Sequence, residues 1–210
     1  MENKINITTE SYEVFAKMFE QFLNRTINPN IRLGKQNNWH KSHPYYRING
    51  YKGVQVSQSF GVYTVLNKEF LSQFSQIVEV GTYNGGLSLW VYDSKSEDCK
   101  FVTYDIDGGI NHVKRLYKDT QVDFRVEDCF ADSTFKDIID MIQSDGKSLV
   151  LCDGGNKPKE FNEFSKYLKQ GDHIMCHDYC KDMDYWNYST SYWQWPYATD
   201  TNYKDIQETI

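Results

Sequence analysis

The sequence predicts an α/β protein built on a doubly wound, mainly parallel sheet with helices on both faces. From Ile77 onward, short apolar segments alternate with segments of helical periodicity, which is the pattern of parallel strands joined by crossover helices. A glycine-rich turn follows the first apolar segment directly. Every apolar segment also ends in polar residues, and in such sheets ligands bind at the carboxyl ends of the strands.

The elements follow in a regular order. Strands are predicted at residues 77–80, 101–105, 122–126, 149–153 and 173–177, and helices near 86–95, 109–118, 132–143 and 159–169. Only about thirty residues follow residue 180, so we expect the sheet to lack a complete C-terminal strand pair. Before the first strand, aromatic periodicity predicts a helix over 10–25, turn-forming residues dominate 26–53, and a further helix is expected over 62–73.

No linker or internal repeat interrupts the chain, so a single domain over 1–210 is predicted. Residues 1–60 form its N-terminal helix and cap segment, 61–180 its core, and 181–210 an aromatic tail. The net charge of -6 gives no general attraction to nucleic acid. No apolar run approaches the ~20 residues of a membrane span. The five cysteines form no Cys-x-x-Cys pair, which favours a reducing, cytoplasmic location.

The glycine-rich turn is the first candidate binding site. Gly81, Gly85 and Gly86 do not have the Gly-x-Gly-x-x-Gly spacing of dinucleotide-binding enzymes, which disfavours a nicotinamide-dependent oxidoreductase. Glu79 precedes the first glycine by two residues and suits a cationic ligand. The residues expected to form this corner are Glu79, Gly81, Thr82, Tyr83, Gly85 and Gly86. A tight strand-to-helix turn with no ligand is the structural alternative.

Polar residues at the next two strand ends extend this site. Asp105 lies some twenty residues after the glycines, where a carboxylate can accept both hydroxyls of a ribose; NAD enzymes use the same acid, and a helix cap is the alternative. In the segment of Asp128, Cys129 and Phe130, the acid can accept an adenine amine and the phenyl ring can pack on the base. These residues are consistent with an adenosine-containing cofactor.

The fourth and fifth strands place further acids together. Asp153 ends one strand, and His177 and Asp178 end its predicted neighbour. Two carboxylates and an imidazole suit a hard divalent cation, which can chelate a diol and lower the pKa of its hydroxyl. The alternative is that Asp178 caps a turn and His177 is a core histidine.

The motifs together resemble those of a known family. The Glu-x-Gly-x-x-x-Gly-Gly pattern is similar to motif I of class I S-adenosylmethionine (SAM) methyltransferases. The wider set resembles the cephalosporin hydroxylase/rhamnosyl O-methyltransferase family and the related macrocin-type sugar O-methyltransferases; it consists of Gly53-Val54-Gln55, Glu79-Val80-Gly81-Thr82, Gly85-Gly86, Asp153-Gly154-Gly155 and His177-Asp178-Tyr179. The resemblance implies a Rossmann-like fold, SAM as cofactor, and Mg²⁺ or Mn²⁺ held by Asp153 and Asp178. His177 stands where the family often has another acid.

The resemblance also bears on the general base. Related sugar methyltransferases often place a histidine three residues after the metal-binding acid, and this chain has Asn156 there, followed by Lys157. Lysine is the base in catechol-type O-methyltransferases, and a neighbouring divalent cation lowers the pKa of an ammonium group. We therefore expect Lys157 to act as base, with His177 as second choice and Asp153 beside them. A solvated lysine opening a helix is the alternative.

The aromatic tail is expected on the acceptor side. It contains Tyr185, Trp186, Tyr188, Tyr192, Trp193, Trp195 and Tyr197, whose rings can stack on a sugar, form a homodimer contact, or cover the sheet edge. The predicted function is metal-assisted, SAM-dependent O-methylation of a sugar hydroxyl, free or in a glycan. A catechol or other small diol is the alternative acceptor, a binding module without activity is a further alternative, and the chain is also compatible with one domain of a larger glycan-building enzyme.

Overall fold

The computed structural model describes residues 31–35, 46–51, 62, 65–106, 122–180 and 201–209. The chain divides into two compact units, Met1–Asn67 and Lys68–Ile210. In the first unit, β1 (Ile31–Lys35) and β2 (Tyr46–Tyr51) pair antiparallel. The prediction that 26–53 is turn-rich is therefore wrong for these strands, because their aliphatic and aromatic residues favour pairing over turns. The helices predicted at 10–25 and 109–118 and the aromatic residues of the tail lie outside the described residues.

The second unit contains a five-stranded parallel sheet with the strand order β5-β4-β3-β6-β7. The strands are β3 (Gln76–Val80), β4 (Lys100–Asp105), β5 (Asp123–Val126), β6 (Ser148–Cys152) and β7 (His173–Cys176). The chain moves outward from β3 to β5 and then returns to the other side of β3, so the order reverses between β3 and β6. This arrangement confirms the predicted doubly wound α/β fold, and a ligand is expected at the reversal point.

Helices follow the strands as the periodicity predicts, with two corrections. In the described residues they are α1 (Lys68–Leu71), α2 (Gly86–Ser94), α3 (Asp132–Gln143), α4 (Lys157–Ser165) and α5 (Tyr203–Ile206). Of the helix predicted over 62–73, the structure describes α1 as the continuous helical segment. α4 begins two residues before the predicted start and ends earlier, because the Asn156 side chain accepts the Lys159 N–H and Pro158 fits the first turn.

Both faces of the sheet are covered. Val78, Val102 and Val150 belong to one core cluster with α3 and α4, whose members Ile138 and Phe164 are fully buried. Successive side chains of a strand point to opposite faces. Glu79 accordingly points the other way and accepts a hydrogen bond from Ser88 of α2, so α2 lies on the second face.

The chain after β7 forms a small separate pair. β8 (Tyr179–Cys180) and β9 (Thr201–Asn202) are parallel neighbours and form a sheet of their own. In the described part of the chain, no sixth strand joins the five-stranded sheet. The described thiols of Cys99, Cys129, Cys152 and Cys176 are free. None of the described helices is long and apolar enough to cross a membrane.

Candidate active site

Backbone hydrogen bonds align the carboxyl ends of the strands. The N–H of Gly81 donates to the carbonyl of Tyr104 at 2.8 Å, and the N–H of Asp153 donates to the carbonyl of Val80 at 2.9 Å. The N–H of His177 donates to the carbonyl of Cys152, the last residue of β6, at 3.0 Å. The sheet ladder thus continues one residue beyond the strands, which holds the candidate site residues level along one edge.

The glycine-rich corner packs directly against β6. Gly81 has φ +96°, and a Cβ placed on it would lie 2.2 Å from the carbonyl oxygen of Asp153. Gly85 has φ +74° and caps α2, while the buried Gly86 begins that helix. The sequence indicates glycine here for close approach to a ligand, whereas the structure requires Gly81 for close approach to the Asp153 backbone. The corner and the end of β6 are therefore one continuous surface.

Glu79 lies beneath this corner rather than on it. The residue is 1% exposed, and Ser88 donates to its Oε2 at 2.5 Å. Burial raises the pKa of this carboxyl to about 8, against the opposing effect of the Ser88 hydrogen bond. The group is thus protonated at neutral pH. Its contact with a cationic ligand stays a prediction.

Asp105 and the glycine corner are connected. The N–H of Tyr83 donates to Asp105 Oδ2 at 2.8 Å, so this carboxylate lies beside the turn, and its contact with a ribose stays a prediction. Tyr83 has φ +47° and its side chain is 65% exposed. Thr82 is buried, and its hydroxyl lies 2.6 Å from that of Thr103, so its side chain holds the turn to β4.

The segment after β5 packs against α4. The ring of Phe130 stacks on Phe164 with a centroid separation of 5.9 Å, and Lys159 Nζ lies 3.8 Å from its centroid. Asp128 Oδ1 accepts the N–H of Phe130, and Cys129 is buried, which raises the pKa of its thiol to about 12. The three residues make a helix-facing turn, and their contact with an adenine ring stays a prediction.

Three side chains at the ends of β6 and β7 form a candidate cation site. One donor atom from each of Asp153, His177 and Asp178 lies within 4.8 Å of the others. His177 Nδ1 is 3.0 Å from Asp153 Oδ1 and 3.1 Å from Asp178 Oδ1. Ligands on adjacent positions of an octahedral Mg²⁺ site are separated by about 3 Å, given bonds of about 2.1 Å. The donor set and its spacing therefore fit a hard divalent cation.

Lys157 completes the cluster. It lies in the first turn of α4, is 7% exposed, and places Nζ 3.7 Å from Asp153 Oδ1 and 3.5 Å from Asp178 Oδ2. Burial alone would lower the pKa of Lys157, but the two carboxylates outweigh it and raise the pKa. For His177, burial also lowers the pKa, and the same carboxylates raise it to about 9. Both candidate bases hold a proton at neutral pH in this arrangement.

Asp178 occupies an uncommon backbone conformation. Its φ is +55°, in the left-handed region that aspartate tolerates better than most residues. Burial raises the pKa of Asp178, but His177 and Lys157 outweigh burial and hold the pKa below its usual value. The turn that follows β7 therefore presents an ionised carboxylate to the cluster.

One residue of the site was absent from the sequence prediction. Glu160 is 2% exposed and accepts the backbone N–H groups of Gly154 and Asn156, the turn between Asp153 and Lys157. Burial raises its pKa against these two hydrogen bonds. An asparagine followed four residues later by glutamate resembles a capping box lengthened by one residue, and this spacing is the signal in the sequence.

Proteins similar to this chain were found among solved structures only. No family model matches the sequence, and no curated protein matches it. Among solved structures, the chain is similar to the crystal structure of precorrin-6y C5,15-methyltransferase from Geobacter metallireducens GS-15, with a TM-score of 0.45 and 12% sequence identity over 65% of this chain and 70% of that chain. A similarity of this extent does not bear on function.

Proposed function

We propose that the chain is a SAM-dependent O-methyltransferase, assisted by a divalent cation, that acts on a hydroxyl of a sugar or glycan. The observation that carries this proposal is the contact between the two halves of the site. The glycine corner packs against the backbone of Asp153, and the side chain of Asp153 belongs to the cluster with His177 and Asp178. A cofactor at the corner and a cation in the cluster would thus be neighbours.

In this proposal the glycine corner binds the cofactor. SAM held there would supply an activated methyl group for transfer to the acceptor hydroxyl, with S-adenosylhomocysteine as the leaving group and the hydroxyl proton passing to a base. Asp105 would accept the ribose hydroxyls, since Tyr83 N–H fixes the orientation of its carboxylate. The corner residues Thr82, Gly85 and Gly86 shape the turn, and Asp128, with Cys129 and Phe130, remains the proposed adenine contact.

The acidic cluster would hold Mg²⁺ or Mn²⁺. Carboxylate oxygens of Asp153 and Asp178 are the ligands that hard cations prefer, and the imidazole of His177 is a third. When bound, such a cation lowers the pKa of a coordinated hydroxyl, which for a sugar is far above neutrality. Lys157 is the proposed proton acceptor and His177 the second choice. Either residue accepts a proton only in its uncharged form, so deprotonation must precede transfer.

The proposed acceptor is a sugar because of the aromatic residues in 181–200, which include Trp186, Trp193 and Trp195. The described residues on the two sides of this segment, Cys180 and Thr201, belong to β8 and β9, and Thr201 pairs with Tyr179, the residue after Asp178. The described backbone that flanks the segment therefore lies next to the cluster. A homodimer, membership of a larger glycan-building enzyme and a cytoplasmic location stay predictions.

Calorimetric titration with SAM, S-adenosylhomocysteine and NAD, with and without Mg²⁺, tests the cofactor. Binding of NAD alone would refute the proposal. Transfer of a labelled methyl group from SAM is then measured on rhamnosides, other glycosides and catechols. We expect transfer to a glycoside that EDTA abolishes and Mg²⁺ or Mn²⁺ restores, with a nearly unchanged melting temperature.

Two outcomes of this assay would change the proposal. Transfer to catechol with none to any glycoside would assign the alternative acceptor, and full activity in EDTA would remove the cation. Lys157→Ala is compared with Lys166→Ala, whose partner Glu163 lies outside the cluster. We expect Lys157→Ala to lose turnover while SAM binding is retained. Unchanged turnover would transfer the role of base to His177.

A further inference from the structure

We propose that Glu160 is a positioning residue for the cation cluster, because its carboxylate fixes the turn 154–156 that separates Asp153 from Lys157. Among the described residues, the Glu160 carboxylate hydrogen-bonds to the backbone between Asp153 and Lys157 rather than to the side chains of the cluster, and it acts through that backbone. The inference depends on the proposed function in one respect only, the presence of a cation in the cluster. The fixed geometry of the turn is a property of the chain with or without one.

Both oxygens of Glu160 are used by the turn. Oε2 accepts the N–H of Gly154 at 3.1 Å, and Oε1 accepts the N–H of Asn156 at 3.0 Å. The carboxylate therefore holds the backbone at two points on either side of Gly155. Because the Glu160 side chain is almost fully buried, water does not readily replace these bonds.

The turn has no space to move toward Glu160. A Cβ on Gly154 would lie 2.4 Å from Glu160 Oε1, whereas a Cβ on Gly155 would meet none of the described residues within 4 Å. The turn is therefore closely packed against Glu160 at Gly154 and loosely packed at Gly155. Lys157 is tied to the same unit, since its Nζ donates to the carbonyl of Gly154 at 3.2 Å.

Helix capping alone does not account for this arrangement. The Asn156 side chain already caps α4 by accepting the N–H of Lys159. The bonds of Glu160 fall on Asn156 and Gly154, at and before the cap, where they set the direction from which the chain enters the helix. That direction determines where Asp153 and Lys157 stand relative to each other.

The two oxygens make Glu160→Gln an informative change. Glutamine has nearly the same size but offers one acceptor and one NH₂ donor, so one of the two N–H groups would face another donor. The matched control is Asp205→Asn, which makes the same carboxylate-to-amide change in the capping box of α5, where Asp205 Oδ2 accepts the N–H of Asn202 at 2.9 Å. This second cap holds no residue of the cluster.

The first measurement needs no cation. Long-range ¹H–¹⁵N spectra of the His177 ring report the surroundings of Nδ1, which lies 3.0 Å from Asp153 Oδ1. We expect the ring signals to shift in Glu160→Gln and to remain as in the parent in Asp205→Asn. If the amide variant does not fold, Glu160→Asp keeps both acceptor oxygens but withdraws them by one methylene, and it should shift the signals as well. Parent-like signals in a folded Glu160 variant would overturn the inference.

The second measurement is titration with Mn²⁺, followed by electron paramagnetic resonance of the free ion. Loss of a group that orients metal ligands typically weakens binding by about 10–100-fold, so we expect at least a tenfold loss in Glu160→Gln and none in Asp205→Asn. Equal losses in both variants would show a general effect of destabilisation and count against the inference. A parent protein that binds no Mn²⁺ would refute the proposed cation, and the His177 spectra would then decide the role of Glu160.

Discussion

Replacing Gly81 by alanine tests the contact that joins the two halves of the candidate site. The added methyl group meets a backbone atom, since its carbon would lie 2.2 Å from the carbonyl oxygen of Asp153 and 2.8 Å from the N of Gly154. Backbone atoms cannot rotate away as a side chain can. The matched control is Gly155→Ala, because Gly155 lies two residues beyond Asp153 and its Cβ would have no atom within 4 Å in the part of the chain that the structure describes.

The expected cost has two parts. Alanine at φ +96° is in a conformation that costs about 1–3 kcal/mol. Separating the new carbon from the Asp153 carbonyl requires a shift of roughly 1 Å against a ladder in which Asp153 N–H donates to Val80, and forced overpacking costs about 1–3 kcal/mol. We therefore expect Gly81→Ala to lower the free energy of unfolding by roughly 2–6 kcal/mol. Gly155→Ala should stay within about 0.5 kcal/mol of the parent.

Urea unfolding followed by tryptophan fluorescence measures both variants against the parent. The reasoning also predicts a weaker Mn²⁺ site in Gly81→Ala, since the displaced backbone carries a cluster ligand. If Gly81→Ala proves as stable as Gly155→Ala, the close contact between the corner and β6 does not exist. Reduced stability with parent-like Mn²⁺ affinity would show that the contact does not control the position of the Asp153 side chain.

Two further predictions concern the acids of β3 and β4. Below its ordinary pKa of 4.5, the Glu79 carboxyl is protonated in both the folded and the unfolded chain. Between pH 4.5 and about pH 8, only the folded chain holds the proton. The free energy of unfolding therefore falls as pH rises through this window. Glu79→Gln should remove this dependence, worth on the order of 4 kcal/mol between pH 5 and pH 8, and equal pH slopes in urea unfolding of parent and variant would contradict the assigned burial. Asp105→Ala should weaken SAM binding at least tenfold in calorimetry, since each charge-assisted hydrogen bond contributes about 1.5–3 kcal/mol, whereas Asp132→Ala at the start of α3 should not. Parent-like affinity in Asp105→Ala would place the ribose elsewhere.

The elements that depend on local sequence were predictable, and those that depend on side-chain direction were not. Strand ends could be read to within one residue because apolar runs stop at polar residues. The meeting of Asp153 with His177 and Asp178 followed from strand adjacency. Alternation along β3 predicts that the Glu79 side chain and those of its two chain neighbours point to opposite faces of the sheet, but it does not predict which face carries α2. The burial of its carboxyl under Ser88 therefore needed the tertiary structure.

The surroundings of Lys157 show the same limit at a helix start. Residue types indicate a helix near 159, whereas α4 begins at Lys157 and holds this residue in its buried first turn. Its ion pairs with Asp153 and Asp178 depend on that start, because they require the helix to begin directly after the turn held by Glu160. An error of two residues in a predicted helix start changes the predicted fold little, but it changes which charged groups surround a side chain of the site.

The pairing of β8 with β9 has a consequence for how such a protein can diversify. Tyr179 and Thr201 are paired, so the described backbone on the two sides of residues 181–200 meets at one place. Because closing a chain segment of doubled length costs only about 0.6 kcal/mol more, insertions and replacements there place little load on the sheet. Cys176 Sγ, 3.0 Å from Thr201 Oγ1, ties this junction to β7. A change of length between residues 180 and 201 is therefore expected to leave the strand edge that carries Asp153 and Asp178 unchanged.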